Sequence, residues 1–190
     1  MFLSEFFSVL DSRSFSSPWF WLVFIGLWAM SGRAVLGVPN DVLSNARRAL
    51  SEAQGRDGAA DLLLLLDWLS LHVPRWRIAR MTGAILTGLI AFALTVLAVL
   101  GFYFGLEMAQ AVTLLACPFA LLLGLKMRLA HQLYWVVEAA HLGQSPRDAG
   151  AEAMKHINHY RILHMLISLL AVTVTAMYAS LWLLLHPNGL

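Results

Sequence analysis

The chain has 190 residues, 59% hydrophobic and 13% charged, a balance too apolar for an ordinary soluble domain. Its formal net charge is only +2, and the basic residues gather at the edges of apolar blocks, which speaks for a membrane and against nucleic acid as a partner. The one cysteine, Cys117, lies inside an apolar block, which excludes an internal disulfide and any thiolate-only metal or cluster site built by a single chain.

Residues 1–17 set Phe2, Leu3, Phe6, Phe7, Val9 and Leu10 against Ser4, Glu5, Ser8 and Asp11. That pattern predicts a short amphipathic helix lying in the membrane interface. With neither a basic n-region nor an A-x-A site, no cleaved signal peptide is expected. Pro18 opens a first membrane helix over 18–38, with Trp19, Phe20 and Trp21 as an aromatic anchor. Arg33 falls near the other end, where it can snorkel to water. Residues 39–80 read as cytoplasmic or interfacial helices. Asp41 to Gln54, with Arg47 and Arg48, is a polar surface helix, and Gly55 to Gly58 a turn. Ala59 to Val73 is interrupted by Asp61, Asp67 and His72, and it is shorter than the roughly 20 apolar residues that a span needs. It is expected in the interface or against the membrane helices. Pro74 stops it, and Arg75, Arg77 and Arg80 mark a headgroup boundary.

The second membrane helix is expected over 81–105. Gly83, Thr87, Ala91 and Thr95 recur every four residues along it, and Gly101 and Gly105 make a GxxxG. Small residues at this spacing let another helix approach closely, either inside one bundle or between two copies of the chain. Leu106 and Glu107 are nearly the whole connection to a third helix over 108–125, so the two are antiparallel neighbours; Glu107 reads as a hydrated acid in that turn. Pro118 is expected to kink the third helix, which a membrane tolerates. A helical hairpin follows over 126–161. At its tip Gly143 suits a helix end that needs positive φ, Ser145 is placed as N-cap, Pro146 as N1 and Asp148 as the acid at N3. The fourth membrane helix, 162–186, carries a second small-residue stripe, Ala171, Thr175 and Ala179, which could mate with the first.

The fold expected from these elements is all-α: a polytopic membrane protein of four transmembrane helices with amphipathic helices at the interface and in the cytoplasm. Six of the 13 Lys and Arg residues lie between Arg47 and Arg80 and five between Lys126 and Arg161. With four spans both groups share one side, which the positive-inside rule makes cytoplasmic. Both termini then lie outside. Deep intramembrane charges are lacking, which argues against a conventional ion-coupled transporter. No phosphate loop, nucleophile–base pair or HExxH occurs, so an enzyme is not expected.

One patch is rich in metal-ligand residue types. Glu138 and His141 precede the hairpin tip, and Glu152, His156 and His159 follow it. Spacings of three and four put such pairs on one helix face, and a carboxylate plus Glu-x-x-His on facing helices is how bundle metal sites are assembled. The set Glu138, His141, Glu152 and His156 is therefore a candidate metal site, against the alternatives of solvated side chains on a polar hairpin or a pH-responsive pair. A di-metal site of that kind draws ligands from four helices and has a second Glu-x-x-His, which this sequence lacks. His131, His159 and His164 sit too near the membrane edge for bis-His haem. The basic loops could hold anionic lipid, although topology alone accounts for them.

Three stretches carry a resemblance: Val9-Leu10-Asp11-Ser12-Arg13-Ser14-Phe15, then Val35-Leu36-Gly37-Val38-Pro39-Asn40-Asp41 with Arg47-Arg48, then Leu100-Gly101-Phe102-Tyr103-Phe104-Gly105 running to Glu107 and Gln110. Together they resemble a small alphaproteobacterial inner-membrane family labelled a component of the SufBCD iron–sulfur assembly complex, over about the first two-thirds of the chain. The resemblance implies a membrane partner for a cytoplasmic Fe–S scaffold and carries no site residues. The functional expectation is a non-catalytic accessory, scaffold or assembly protein. It would sit among membrane lipids and bind a protein partner through its cytoplasmic helices, with a homo-oligomer as a further possibility. The alternative is a metal-binding membrane protein using the hairpin cluster.

Overall fold

The computed structural model describes residues 15, 17–33, 35–51, 56–76 and 80–185. Its helices are α1 (Pro18–Ser31), α2 (Asn40–Ser51), α3 (Arg56–His72), α4 (Arg80–Ala98), α5 (Glu107–His141) and α6 (Pro146–Leu185). A 3-10 turn, Val73–Trp76, follows α3, and a π turn, Val99–Tyr103, extends α4. Among the described residues the architecture is all-helical, and the only β pairing is an isolated bridge between Val35 and Val38. Three stretches are long and apolar enough to cross a membrane: Met81–Tyr103, Glu107–His141 and Pro146–Leu185. The interfacial helix expected over 1–17 lies outside the described residues, apart from Phe15 and Ser17.

Two boundaries differ from the sequence expectation: Arg56 to Gly58, expected in a turn, already belong to α3, and the first helix is short. The helix expected over 18–38 is helical only over the 14 residues Pro18–Ser31. Beyond it the chain turns through Leu36 (φ 52) and Gly37 (φ 86), and Val35, Leu36 and Val38 are buried in a core. As the continuous apolar pattern from Met108 to Leu142 leads one to expect, the third membrane helix runs unbroken into the first arm of the hairpin, as one helix of 35 residues that contains Pro118. The ring of Pro118 removes one backbone hydrogen bond, too little to end a helix supported by apolar neighbours on both sides.

The chain divides into two compact units, and α5 and α6 contribute to both. The first comprises Met1–Met30, Arg80–Leu122 and Met165–Leu190. Its large apolar side chains face outward: Trp19, Leu22, Ile25, Leu89, Phe92, Leu169, Leu170 and Met177 are all exposed. A water-soluble protein would bury such residues, and lipid requires no such burial. Its buried interior is small and sits where helices begin and end. Phe15, Ala111 and Ala179 form a cluster against Phe20, Trp21, Leu114, Tyr178 and Trp182. Phe15 stacks edge-on with Phe20 and Tyr178, and its carbonyl accepts the Trp21 indole N–H at 3.0 Å. Along α1 the contacts run on to Trp28, whose ring lies 4.8 Å from that of Phe119. Phe15 meets the start of α5 at Glu107 and Trp28 meets it twelve residues later at Phe119, so α1 and the first half of α5 point the same way.

The second unit comprises Ser31–Ala79 and Leu123–His164. It has an ordinary hydrophobic core. Val42, Leu43, Ala46 and Ala49 come from one face of α2, and Leu62, Leu65, Leu66 and Leu69 from α3. The hairpin adds Leu129, Ala130, Leu133, Val136 and Val137 from α5, with Ala149, Ala153, Met154, Ile157 and Tyr160 from α6. Each set repeats at three and four residues, the period of a helix with one buried stripe. The exposed faces of α2 carry Asp41, Asn45, Arg47 and Arg48, and Arg47 donates to Asn158 Oδ1 at 3.3 Å. His72 is half-buried, stacked on Trp68 with ring centroids 5.0 Å apart. Its Nδ1 lies 3.0 Å from the Trp68 carbonyl.

Candidate functional site on the helical hairpin

The hairpin is set by its tip. The N–H of Gly143 donates to the Ala140 carbonyl at 3.2 Å and that of Gln144 to Ala139 at 3.1 Å. This pair of bonds is the Schellman termination of α5, and it requires the positive φ of 105° that Gly143 adopts. The Asp148 N–H donates to Ser145 Oγ at 3.2 Å, which caps α6. The Ser145 hydroxyl in turn donates to Asp148 Oδ2 at 2.7 Å, so the N3 acid here grips the cap's side chain rather than its backbone N–H. Stop and start within five residues fold the arms antiparallel, and Gly150 lets them meet α3: a Cβ there would stand 2.8 Å from Leu62 Cδ2.

Against this frame the four metal candidates are not gathered. Glu138 and His156 are half-buried, while His141 and Glu152 are exposed. Among the described residues no group of three or more His, Cys, Asp or Glu side chains is placed to hold a metal ion. His156 instead belongs to another arrangement. A cavity of ≈ 90 Å³ opens between the arms, lined by Leu125, Arg128, Leu129 and Gln132 of α5 and by His156, His159, Tyr160 and Leu163 of α6. Four of its polar side chains, Arg128, Gln132, His156 and His159, can donate a hydrogen bond, and no carboxylate lines it. The fifth is the Tyr160 hydroxyl. Tyr160 is 5% exposed, and its hydroxyl is buried without a hydrogen-bond partner among the described residues. Burial pushes this phenol up to about 12, so it stays protonated and a donor at neutral pH. Both arms present the site at offsets of three, four and seven residues (125, 128, 129, 132 and 156, 159, 160, 163). That spacing is the sequence signal that would have marked them as facing stripes.

The packing candidates divide. On α4, Gly83 is half-buried and Thr87 and Ala91 are exposed, whereas Ala171, Thr175 and Ala179 on α6 are buried. The two small-residue stripes therefore do not mate with each other. Thr87 Oγ1 and Thr95 Oγ1 donate to carbonyls one turn back, Gly83 at 2.9 Å and Ala91 at 2.8 Å, which lets a hydroxyl face lipid without an unmet donor. Gly101 and Gly105 do not act as one motif either. A Cβ on Gly101 would stand 2.7 Å from Gln110 N, so that glycine is needed for close approach within the chain. Gly105 is a turn residue at φ 73 with open space around it. Glu107, expected to be hydrated, is 9% exposed and accepts the Phe15 N–H. Beside it Gln110 donates Nε2 to the Gly101 carbonyl at 2.8 Å.

Compared with family models, with curated proteins and with solved structures, the chain matches none of them. Its function is therefore argued from the residues themselves.

Proposed function

We propose that the protein is a non-catalytic membrane accessory subunit whose second unit docks a partner protein on the cytoplasmic face of a bacterial inner membrane. The observation that carries this reading is the division of labour along the chain. The unit with outward-facing apolar side chains has only a small buried interior, and every Lys and Arg except Arg13 and Arg80 falls in the unit with a conventional core. A membrane-bound part joined to a cation-bearing, water-adapted part is what the positive-inside rule expects of a cytoplasmic module.

Four crossings fit this reading. The three long helices cross, and α1 joins them in the same sense as α5, as the pairs Phe15–Glu107 and Trp28–Phe119 suggest. Both termini are then outside. The module offers an apolar anchor as well as charge: Trp135 on the hairpin is 59% exposed, with Leu142 exposed at its tip. Tryptophan is among the residues enriched at interface hot spots. The resemblance to the SufBCD-associated family would make that partner part of the Fe–S assembly machinery, and docking does not depend on it.

The test is affinity purification of the tagged full chain in a mild detergent. A stoichiometric protein partner, lost when Trp135 is replaced by Ala, is expected. Purification as a lone monomer would remove the proposal.

A further inference from the structure

The cavity between the arms of the hairpin holds a feature that docking does not use. Four polar donors line it, Arg128, Gln132, His156 and His159, and the hydroxyl of Tyr160 is buried with no acceptor among the described residues. A buried hydroxyl left without a partner is costly and uncommon in a native fold, and a ligand or ordered water ordinarily explains it. The lining contains a guanidinium, an amide, two imidazoles and a phenol, and no acid. Guanidinium matches the oxygen spacing of a phosphate, the other groups are hydrogen-bond donors, and the missing carboxylate removes the repulsion such an anion would meet. The ≈ 90 Å³ of space is several times the ~10–15 Å³ that a single water needs, so a small oxyanion fits.

We infer that the cleft formed by Arg128, Gln132, His156, His159 and Tyr160 is a binding site for a phosphate group. Arg128 supplies the charge and the fork. Gln132, His156 and His159 ring the remaining oxygens, and the buried Tyr160 hydroxyl is a further donor. Leu125, Leu129 and Leu163 line the apolar side, where acyl or other hydrocarbon attached to the phosphate could lie. Two sources carry this chemistry: the headgroup of an anionic phospholipid and a free phosphate. The headgroup arm rests on the membrane reading proposed above, since the cleft, lined by α6 from His156 to Leu163, lies at the level where α6 is proposed to enter lipid near Ile162; the free-phosphate arm does not.

The test uses the full chain in a neutral detergent, with three probes: inorganic phosphate, phosphatidylglycerol and phosphatidylcholine. Calorimetric titration reads the first, and native mass spectrometry counts the lipids retained. Phosphatidylglycerol retained in preference to phosphatidylcholine, without binding of inorganic phosphate, identifies a headgroup site. Binding of inorganic phosphate identifies a site for free phosphate. In either case Arg128→Gln should weaken binding at least tenfold. Tyr160→Phe should weaken it several-fold without lowering the thermal midpoint, because its hydroxyl bonds none of the described residues. Arg48→Gln, which removes the same charge from α2 outside the cleft, should leave binding unchanged. Binding of none of the probes overturns the inference, and so does an equal loss in Arg48→Gln and Arg128→Gln, which would mark diffuse attraction to a basic surface. The purification test can fail while phosphate still binds, so the two proposals fall separately.

Discussion

The backbone N–H of Phe15 donates to the Glu107 carboxylate at 2.6 Å, across 92 positions of sequence. Both ends are buried, and Glu107 is the first residue of α5, where the helix dipole favours a negative charge. The bond therefore ties the segment leading into α1 to the turn between α4 and α5. Glu107→Ala leaves the Phe15 N–H buried with no acceptor and should cost about 1–3 kcal/mol. Glu107→Gln keeps an acceptor and loses the charge, so its cost should stay near 1 kcal/mol or below. Denaturant titration in detergent micelles measures both. Equal stability of Glu107→Ala and the unaltered chain would show that the bond is not made in solution.

Gly101 and Gly105 look equivalent in sequence and should respond differently to substitution. A methyl on Gly101 meets backbone, Gln110 N at 2.7 Å and Ala109 C at 3.0 Å, and backbone cannot rotate away. Gly101→Ala should cost on the order of 1–3 kcal/mol or more. At Gly105 the space is open and only the φ of 73° resists a side chain. Gly105→Asn should be tolerated better than Gly105→Ala, because asparagine enters the left-handed region most readily after glycine. Gly101→Asn should be worse than Gly101→Ala. The four midpoints, measured together, check the pattern.

These two glycines also show what was legible beforehand. Periodicity and turn chemistry located the helices and the tip at Gly143 and Ser145, because both signals are local. The GxxxG spacing predicted close approach but could not name the neighbour, and the neighbour proves to be the chain's own Gln110. In the same way the four-residue spacing of small residues marks Thr87 and Ala91 for packing although they are exposed, since small residues on an apolar helix read alike whether they meet lipid or protein. The candidate metal set failed to gather for a related reason. Three- and four-residue spacings place Glu138 with His141 and Glu152 with His156, but the register between the arms is a tertiary quantity. That register pairs His156 with Arg128 and Gln132 as lining of one cleft.

Tyr160 sets a pH dependence. Its phenol is raised by burial from 10.0 to about 12, so between those values the folded chain holds a proton that the unfolded chain has lost. Stability is then full below about pH 10 and falls as pH rises through about 12. The informative quantity is the difference between two chains that vary at this one hydroxyl. The stability of Tyr160→Phe relative to the unaltered chain should rise with pH above 10, because phenylalanine has no proton to lose. A flat difference across that window would show that the hydroxyl is hydrated in solution.

The number of crossings turns on α1. Its 14 residues span about 21 Å at 1.5 Å per residue, short of a ~30 Å hydrocarbon core, so crossing requires flanking residues or local thinning of the bilayer. If α1 crosses, Trp19 lies on the same side as Tyr103; if it does not, Trp19 lies with Gln144. The experiment needs a background free of native thiol, and Cys117→Ala supplies it, since Cys117 is exposed on α5 and could react. Single cysteines at Trp19, Tyr103 and Gln144, all outside the buried clusters, are then labelled with an impermeant maleimide in vesicles of each orientation. Tyr103→Cys should react only from outside and Gln144→Cys only from the cytoplasmic side, and neither result depends on α1. Trp19→Cys decides. Four crossings predict reaction from outside, where the parallel run of α1 and α5 would put it. Reaction from the cytoplasmic side would leave three crossings and place the start of α1 on the same face as Gln144.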